Sequence, residues 1–162
     1  MPISEYPFVK LFSPDPRPFI NIGIEKDNFQ YPITALIDTG STETYIPLGI
    51  AQALRGQRYY TSANKVVPPK NATGQSLPGD FWDDNFILNI LTADLNYYHM
   101  HTLRTRNVKV ASNFKKYAIL GQDSFLSDFV LTVNYSRGAL ALRHPARSIW
   151  PLIRRCSICK HH

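Results

Sequence analysis

The apolar residues of this chain come in short runs with a period of two, and that pattern constrains the fold more than any other feature. Phe19-Ile20-Asn21-Ile22-Gly23-Ile24 places Ile20, Ile22 and Ile24 on one face of an extended strand. A turn around Lys26-Asp27-Asn28 follows, and residues 31–37 extend again, so residues 19–37 predict a hairpin. Residues 86–91, 103–110 and 117–120 read as further strands, and residues 130–135 and 139–143 as a closing hairpin around Ser136-Arg137-Gly138. Helical turns suit only residues 48–54 and 123–129, the second with Phe125, Leu126 and Phe129 on one side. Many short strands separated by turns predict an all-β barrel or sandwich.

Size and composition narrow the class. A chain of 162 residues suggests one domain, able to bury about two-thirds of its unfolded surface without staples. The apolar share of 44% and charged share of 19% are globular values. The net charge is +6, but the basic residues are scattered, so a solvated basic surface is expected and no nucleic-acid partner. No run approaches the roughly eighteen apolar residues of a membrane span, and the proline-rich start has no signal-length apolar segment, so the expectation is no membrane partner and a cytoplasmic location. Cys156 and Cys159 make no disulfide framework. With His161 and His162 they are too cramped for structural zinc, and His99 and His101 read as a surface pair, so no metal and no cofactor are expected.

One residue resists this bland reading. Ala35-Leu36-Ile37 looks like a buried strand, yet it runs straight into Asp38, then Thr39-Gly40-Ser41. An unpaired buried carboxylate is expensive. Either Asp-Thr-Gly is an ordinary β-turn, its aspartate capping local N–H groups, or Asp38 is half of a carboxylate pair. Asp83-Asp84 tempts as a pair, but both follow Trp82 in what reads as a solvated polar turn, and Asp123 suits a helix start. Average residue usage yields Asp-Thr-Gly by chance in about one chain in thirty, so the triplet alone decides nothing.

A second motif supplies what the triplet lacks. Ala35-Leu36-Ile37-Asp38-Thr39-Gly40-Ser41 resembles the active-site signature of aspartic proteases, and Ala118-Ile119-Leu120-Gly121, followed by Asp123-Ser124-Phe125-Leu126, resembles their second signature. The polar, Gly- and Pro-rich residues 59–82 lie where that family carries its flap, with Asn71, Ala72, Thr73 and Gly74 as the best turn and hence the flap tip. The resemblance spans about residues 18–143. Pepsin-like enzymes carry two signatures in a chain about twice as long, so one signature resembles the single-lobe retroviral type, the retropepsins, in which two identical chains each supply an aspartate. What the resemblance implies is an all-β, closed barrel-like aspartic protease fold with one short C-terminal helix and a flap hairpin over the active site. It divides the chain into an N-terminal arm (1–18), a protease domain (19–143) and a C-terminal tail (144–162) that is either a dimer-interface strand or a loose end.

The resemblance also assigns roles. Asp38, Thr39 and Gly40 are the expected catalytic triplet, with the Gly40 N–H close to the carboxylate and Thr39 bonded beneath the site to its counterpart in the second chain. Ser41 is expected on the outer carboxylate oxygen, as in the pepsin-like version of the signature. Ser41, Thr42, Tyr45, Asn71, Ala72, Thr73 and Gly74 are the expected substrate-binding residues, and Ile119, Leu120 and Gly121 the structural second signature. Ile37, Tyr45, Val66, Val67 and Leu77 should favour apolar residues at the cut. Where retroviral enzymes carry an acid and an arginine, this chain has Thr42 and Gln122, and a Thr42–Gln122 hydrogen bond is the expected replacement. The implied function is an aspartic endopeptidase acting on protein or peptide substrates as a homodimer. The alternatives are a catalytically inactive dimerisation or peptide-binding module on the same fold, and an unrelated β-barrel binding polyanions.

Overall fold

Alternation along two long strands sets the barrel, as a computed structural model that describes residues 4–92, 98–100, 104–143 and 145 makes plain. In chain order the elements are β1 (Ser4–Pro7), β2 (Phe19–Lys26), β3 (Phe29–Ile37), β4 (Tyr45–Pro47), α1 (Leu48–Arg55), β5 (Phe81–Leu91), β6 (Tyr98–Met100), β7 (Thr105–Ala111), β8 (Ala118–Leu120), β9 (Val130–Asn134) and β10 (Ala139–Arg143). Six of them pair in the order β2-β3-β8-β4-β7-β5, and β5 pairs back onto β2, closing a barrel. β6 extends β5. A separate sheet, β1-β10-β9, caps the core through buried Leu140 and Leu142. Closure leaves the six-strand sheet without a free outer strand at the β2–β5 seam.

The period-two rows do the packing. Ile20, Ile22 and Ile24 of β2 are buried, and so are Phe86, Leu88 and Ile90 of β5. Each fully buried side chain of this size contributes on the order of 1.5–3 kcal/mol. The predicted hairpin at residues 19–37 forms as β2–β3, paired from Phe19↔Leu36 to Lys26↔Phe29. Helix α1 lays Ala51 and Leu54 on the same core.

The inward row of β5 also holds a charge. Trp82, Asp84 and Phe86 alternate inward, and Asp84 is only 6% exposed. The expected solvated turn at Asp83-Asp84 is therefore wrong for Asp84, because its partners arrive from elsewhere. Arg55 grips it from the end of α1 through Nε (3.1 Å) and Nη2 (2.6 Å), and the Tyr60 hydroxyl donates at 2.5 Å. Burial, the largest single effect, pushes the Asp84 carboxyl up, but bonds from Arg55, Tyr60 and the Asn85 N–H outweigh it and hold it below the usual range. The same bond raises Arg55, and burial followed by the bond to Asp84 raises Tyr60.

Two expectations change near the C-terminus. Residues 123–129 do not form a helix of about two turns; only Leu126–Asp128 makes a 3-10 turn. Ser124 spends its hydroxyl on the Thr44 N–H, Phe125 leaves helical geometry, and the Gly121 and Gln122 carbonyls accept from Leu126 and Ser127. Phe125, Leu126 and Phe129 are still buried together. Among the described residues the one α-helix is α1, earlier in the chain. The tail at residues 146–162, with Cys156 and Cys159, and the side chains of His99 and His101 lie outside the described residues. The arm's β1 pairs with β10 of its own chain. No helix among the described residues is long and apolar enough to cross a membrane.

Breaking the Asp84 cluster tests this packing. Asp84→Ala leaves the Arg55 charge and the Tyr60 hydroxyl unpaired and should cost about 3–5 kcal/mol in urea unfolding. Because the folded carboxyl titrates below its unfolded value of about 3.9, its stabilisation is present above that pH and is lost as pH falls through the folded value. Asp84→Asn should flatten that acid-side loss.

Candidate active site

A strand inserted between two others builds the Asp38 loop. β8 pairs in parallel with β3 (Leu36↔Ile119, Ile37↔Leu120) and antiparallel with β4 at Tyr45↔Ile119. The chain leaving β3 therefore cannot pair directly with β4, and residues 38–44 must arch around the end of β8. Hydrogen bonds hold that arch along its length. The Asp38 N–H donates to the Leu120 carbonyl (3.1 Å), and the N–H groups of Gln122 and Asp123 donate to the carbonyls of Ser41 (2.8 Å) and Thr42 (2.9 Å). The Gly121 N–H donates to Thr44 Oγ1, and the Thr44 N–H to Ser124 Oγ, both at 3.0 Å. A Cβ on Gly121 would sit 2.2 Å from the Glu43 carbonyl oxygen, so only glycine fits.

Asp38 is half-buried at the head of this arch. The Gly40 N–H donates to its Oδ1 at 3.0 Å. Gly40 needs no left-handed backbone; a Cβ there would come within 3.3 Å of the same oxygen, so its role is close approach. Thr39 is exposed on the outer side of the loop. Ser41 departs from expectation: its hydroxyl donates to the Glu43 carbonyl at 2.7 Å, an acceptor two residues away. Gln122 departs too. Its side-chain amide donates to the Thr39 carbonyl, and its bond to the loop replaces the expected one to Thr42.

Asp38 opens onto a cleft of about 760 Å³ walled by Gly40, Ser41, Thr42, Tyr45, Phe114 and Ile119, with Pro69, Lys70, Asn71, Ala72 and Leu77 facing them. The facing wall is a narrow ribbon within residues 66–77. Its rungs are Leu77 N–H to Pro69 O (2.8 Å) and Asn71 N–H to Gln75 O (2.8 Å). Asn71 Oδ1 accepts from the N–H groups of Thr73 and Gln75 and from the Thr73 hydroxyl, and Gly74 takes φ +82°, which favours glycine. Asn71 and Ala72 thus reach the cleft, whereas Thr73 and Gly74 form the turn behind them.

The expected apolar wall is partly redrawn. Tyr45 and Leu77 line the cleft. Val66 packs beneath it with Tyr45, Phe81 and Ala111, and Val67 is 82% exposed and takes no part. Ile37 faces a different hollow, beside Asp38 and Thr39 on the side of the arm. Phe114, absent from the sequence reading, stacks at a tilt against Tyr45 with centroids 5.3 Å apart. Only its place in the loop before β8 could have flagged it. Thr44 was also missed; a threonine ahead of the apolar Tyr45-Ile46 was its one signal. Burial, then the Glu43 charge, pushes the Tyr45 hydroxyl up to about 12, so it stays neutral. Glu43 and Asp83 share Lys109 at 3.5 and 2.5 Å. Among the described residues no three His, Cys, Asp or Glu side chains gather as a metal site.

Comparison with solved structures places this architecture. A crystal structure of a retropepsin-like aspartic protease from Rickettsia conorii aligns over 87% of this chain and 91% of its own, with a TM-score of 0.51 and 14% identity. The EIAV protease complexed with the inhibitor HBY-793 aligns over 70% of this chain and 89% of its own, at a TM-score of 0.36 and 17% identity. No family model matches the sequence, and neither does any curated protein. The chain has a retropepsin-like fold: a closed six-stranded barrel with, among the described residues, one short α-helix.

Gly121→Ala probes the arch directly. The added methyl meets backbone, which cannot step aside as a flexible side chain can, so the variant should lose about 3 kcal/mol or more. Gly49→Ala, in helix α1 with open space around its Cβ, is the control and should melt at or slightly above the parent's temperature.

Proposed function

We propose that this chain is an aspartic endopeptidase that works as a homodimer, each copy supplying one Asp38. The observation that carries this reading is the setting of Asp38. It sits half-buried on an arch clamped by hydrogen bonds, with a main-chain N–H on one oxygen, opposite a flap across a peptide-sized cleft. The sequence has a single Asp-Thr-Gly, so a second carboxylate in the same context must come from a second copy.

Two carboxylates in contact cannot both ionise easily, so the pair shares one proton. The charged member takes a proton from the water between them while that water attacks the scissile carbonyl carbon. The protonated member donates to the carbonyl oxygen. The resulting tetrahedral species collapses as the amide nitrogen is protonated, and the C–N bond breaks. Gly40 holds one oxygen of Asp38 in place through this cycle. Tyr45, Phe114, Leu77 and Ile119 offer an apolar wall for substrate side chains, and the flap ribbon offers main-chain groups to an extended peptide.

A second reading, a catalytically silent peptide-binding or dimerisation module, is favoured by one observation: the Ser41 hydroxyl is engaged by Glu43 and not by Asp38. Asp38→Asn separates the two. On an unfolded, carboxymethylated protein in mildly acidic buffer, the parent should cleave and the variant should lose at least about a thousandfold in kcat. Cleavage should be blocked by a statine-type inhibitor, and specific activity should fall on dilution as the dimer dissociates. Activity that survives Asp38→Asn sinks the dyad, and an active strict monomer in sedimentation sinks the shared site.

A further inference from the structure

The barrel leaves one stretch of strand edge uncovered beside the cleft. β7 pairs with β5 along its whole length, from Phe81↔Ala111 to Ile87↔Thr105. On its other side β4 covers only Lys109, Val110 and Ala111. No strand among the described residues pairs with residues 105–108 on that side.

The ladder fixes which groups point there. The Lys109 N–H donates to the Thr44 carbonyl, so Lys109 directs its main chain toward β4 and away from β5. In an antiparallel pair this direction alternates residue by residue. Asn107 and Thr105, two and four residues back, therefore aim their N–H and C=O groups the same way, past the point where β4 stops. An edge of this kind is a template for one more strand.

A hollow of about 270 Å³ lies along that edge, lined by residues 104–109 with Thr42, Glu43, Asp123 and Ser124. It is smaller than the usual small-molecule pocket of about 300–1,000 Å³. Two of its cations are paired within the chain: Lys109 with Asp83 and Glu43, and Arg106, through Nη1, with Asp128. What the strand edge adds to the hollow is its main-chain N–H and C=O groups. Thr42 and Glu43 line this hollow and the Asp38 cleft alike, so the two adjoin across the arch.

We propose that the free edge of β7 at residues 105–108 is an outer peptide site, where the flank of an extended polypeptide bound in the Asp38 cleft adds as a further β-strand. The proposal rests on the reading of the cleft as a peptide site. Because main-chain hydrogen bonds carry the recognition, the outer site tolerates many side chains and selects for unfolded, extended segments over folded ones.

The test uses overlapping synthetic peptides from one unfolded reference protein, in sets of about six and about fourteen residues. Binding is titrated by fluorescence anisotropy against the Asp38→Asn protein, so that the readout does not need catalysis, and cleavage is followed in parallel with the parent. Long peptides should bind roughly tenfold more tightly than the short ones they contain. N-methylating the flanking peptide nitrogens should remove that gain in the unaltered site. Asn107→Pro, which deletes an N–H facing the free side, should do likewise and leave short-peptide binding unchanged. Equal binding of long and short peptides, or a gain indifferent to N-methylation, overturns the outer site even if cleavage is seen. Length-dependent, N-methyl-sensitive binding without cleavage supports the outer site and overturns only the peptidase reading. Absence of both binding and cleavage overturns both.

Discussion

The site depends on one approach of backbone to backbone. Gly121 presses so close to Glu43 that no side chain fits between them, and this contact lets β8 wedge between β3 and β4. Each member of Ile119-Leu120-Gly121 then has a distinct task. Leu120 is fully buried in the barrel, Ile119 turns the other way into the cleft wall, and Gly121 passes the loop. Without the wedge, the chain could run from β3 into β4 as an ordinary hairpin, and Asp38 would cap a simple turn.

What could be read from the sequence is what is local. The isoleucines at positions 20, 22 and 24 announce a buried face because a strand repeats every two residues. Asp38 to Ser41 and Ile119 to Gly121 carried the fold because each is a contiguous motif whose meaning survives without knowing its neighbours. Asp84 could not be read this way: Arg55 and Tyr60 lie 29 and 24 residues away and reach it only once α1 has docked. Phe125, Leu126 and Phe129 matched a helix face, but a tight turn buries the same three side chains, and sequence spacing does not distinguish the two. The Ser41 hydroxyl was misassigned for the opposite reason. A nearby carbonyl competed with the more distant carboxylate and won.

The two polar clusters differ in kind. Around Asp84 the bonds are charge-assisted and buried, joining α1 to β5, and they tie stability to ionisation. Around the arch the contacts are mostly neutral: amide to carbonyl at Gln122, amide to hydroxyl at Thr44 and Ser124. These neutral bonds have no titrating member, whereas Glu43 of the same arch is paired with Lys109. The loop that carries Asp38 is thus held mainly by bonds indifferent to the proton it is proposed to exchange.

Asn71 has a consequence for motion. One side-chain oxygen gathers three donors at the tip of the ribbon, so the tip is a small knot. A knot moves as a unit, and opening the cleft must then draw its flexibility from the ribbon's stem, where single rungs at Val66 and Leu77 carry the load. If the ribbon closes on a polypeptide as proposed, the step sacrifices the freedom of a hinge and leaves the tip's own entropy untouched, since that was surrendered when the chain folded.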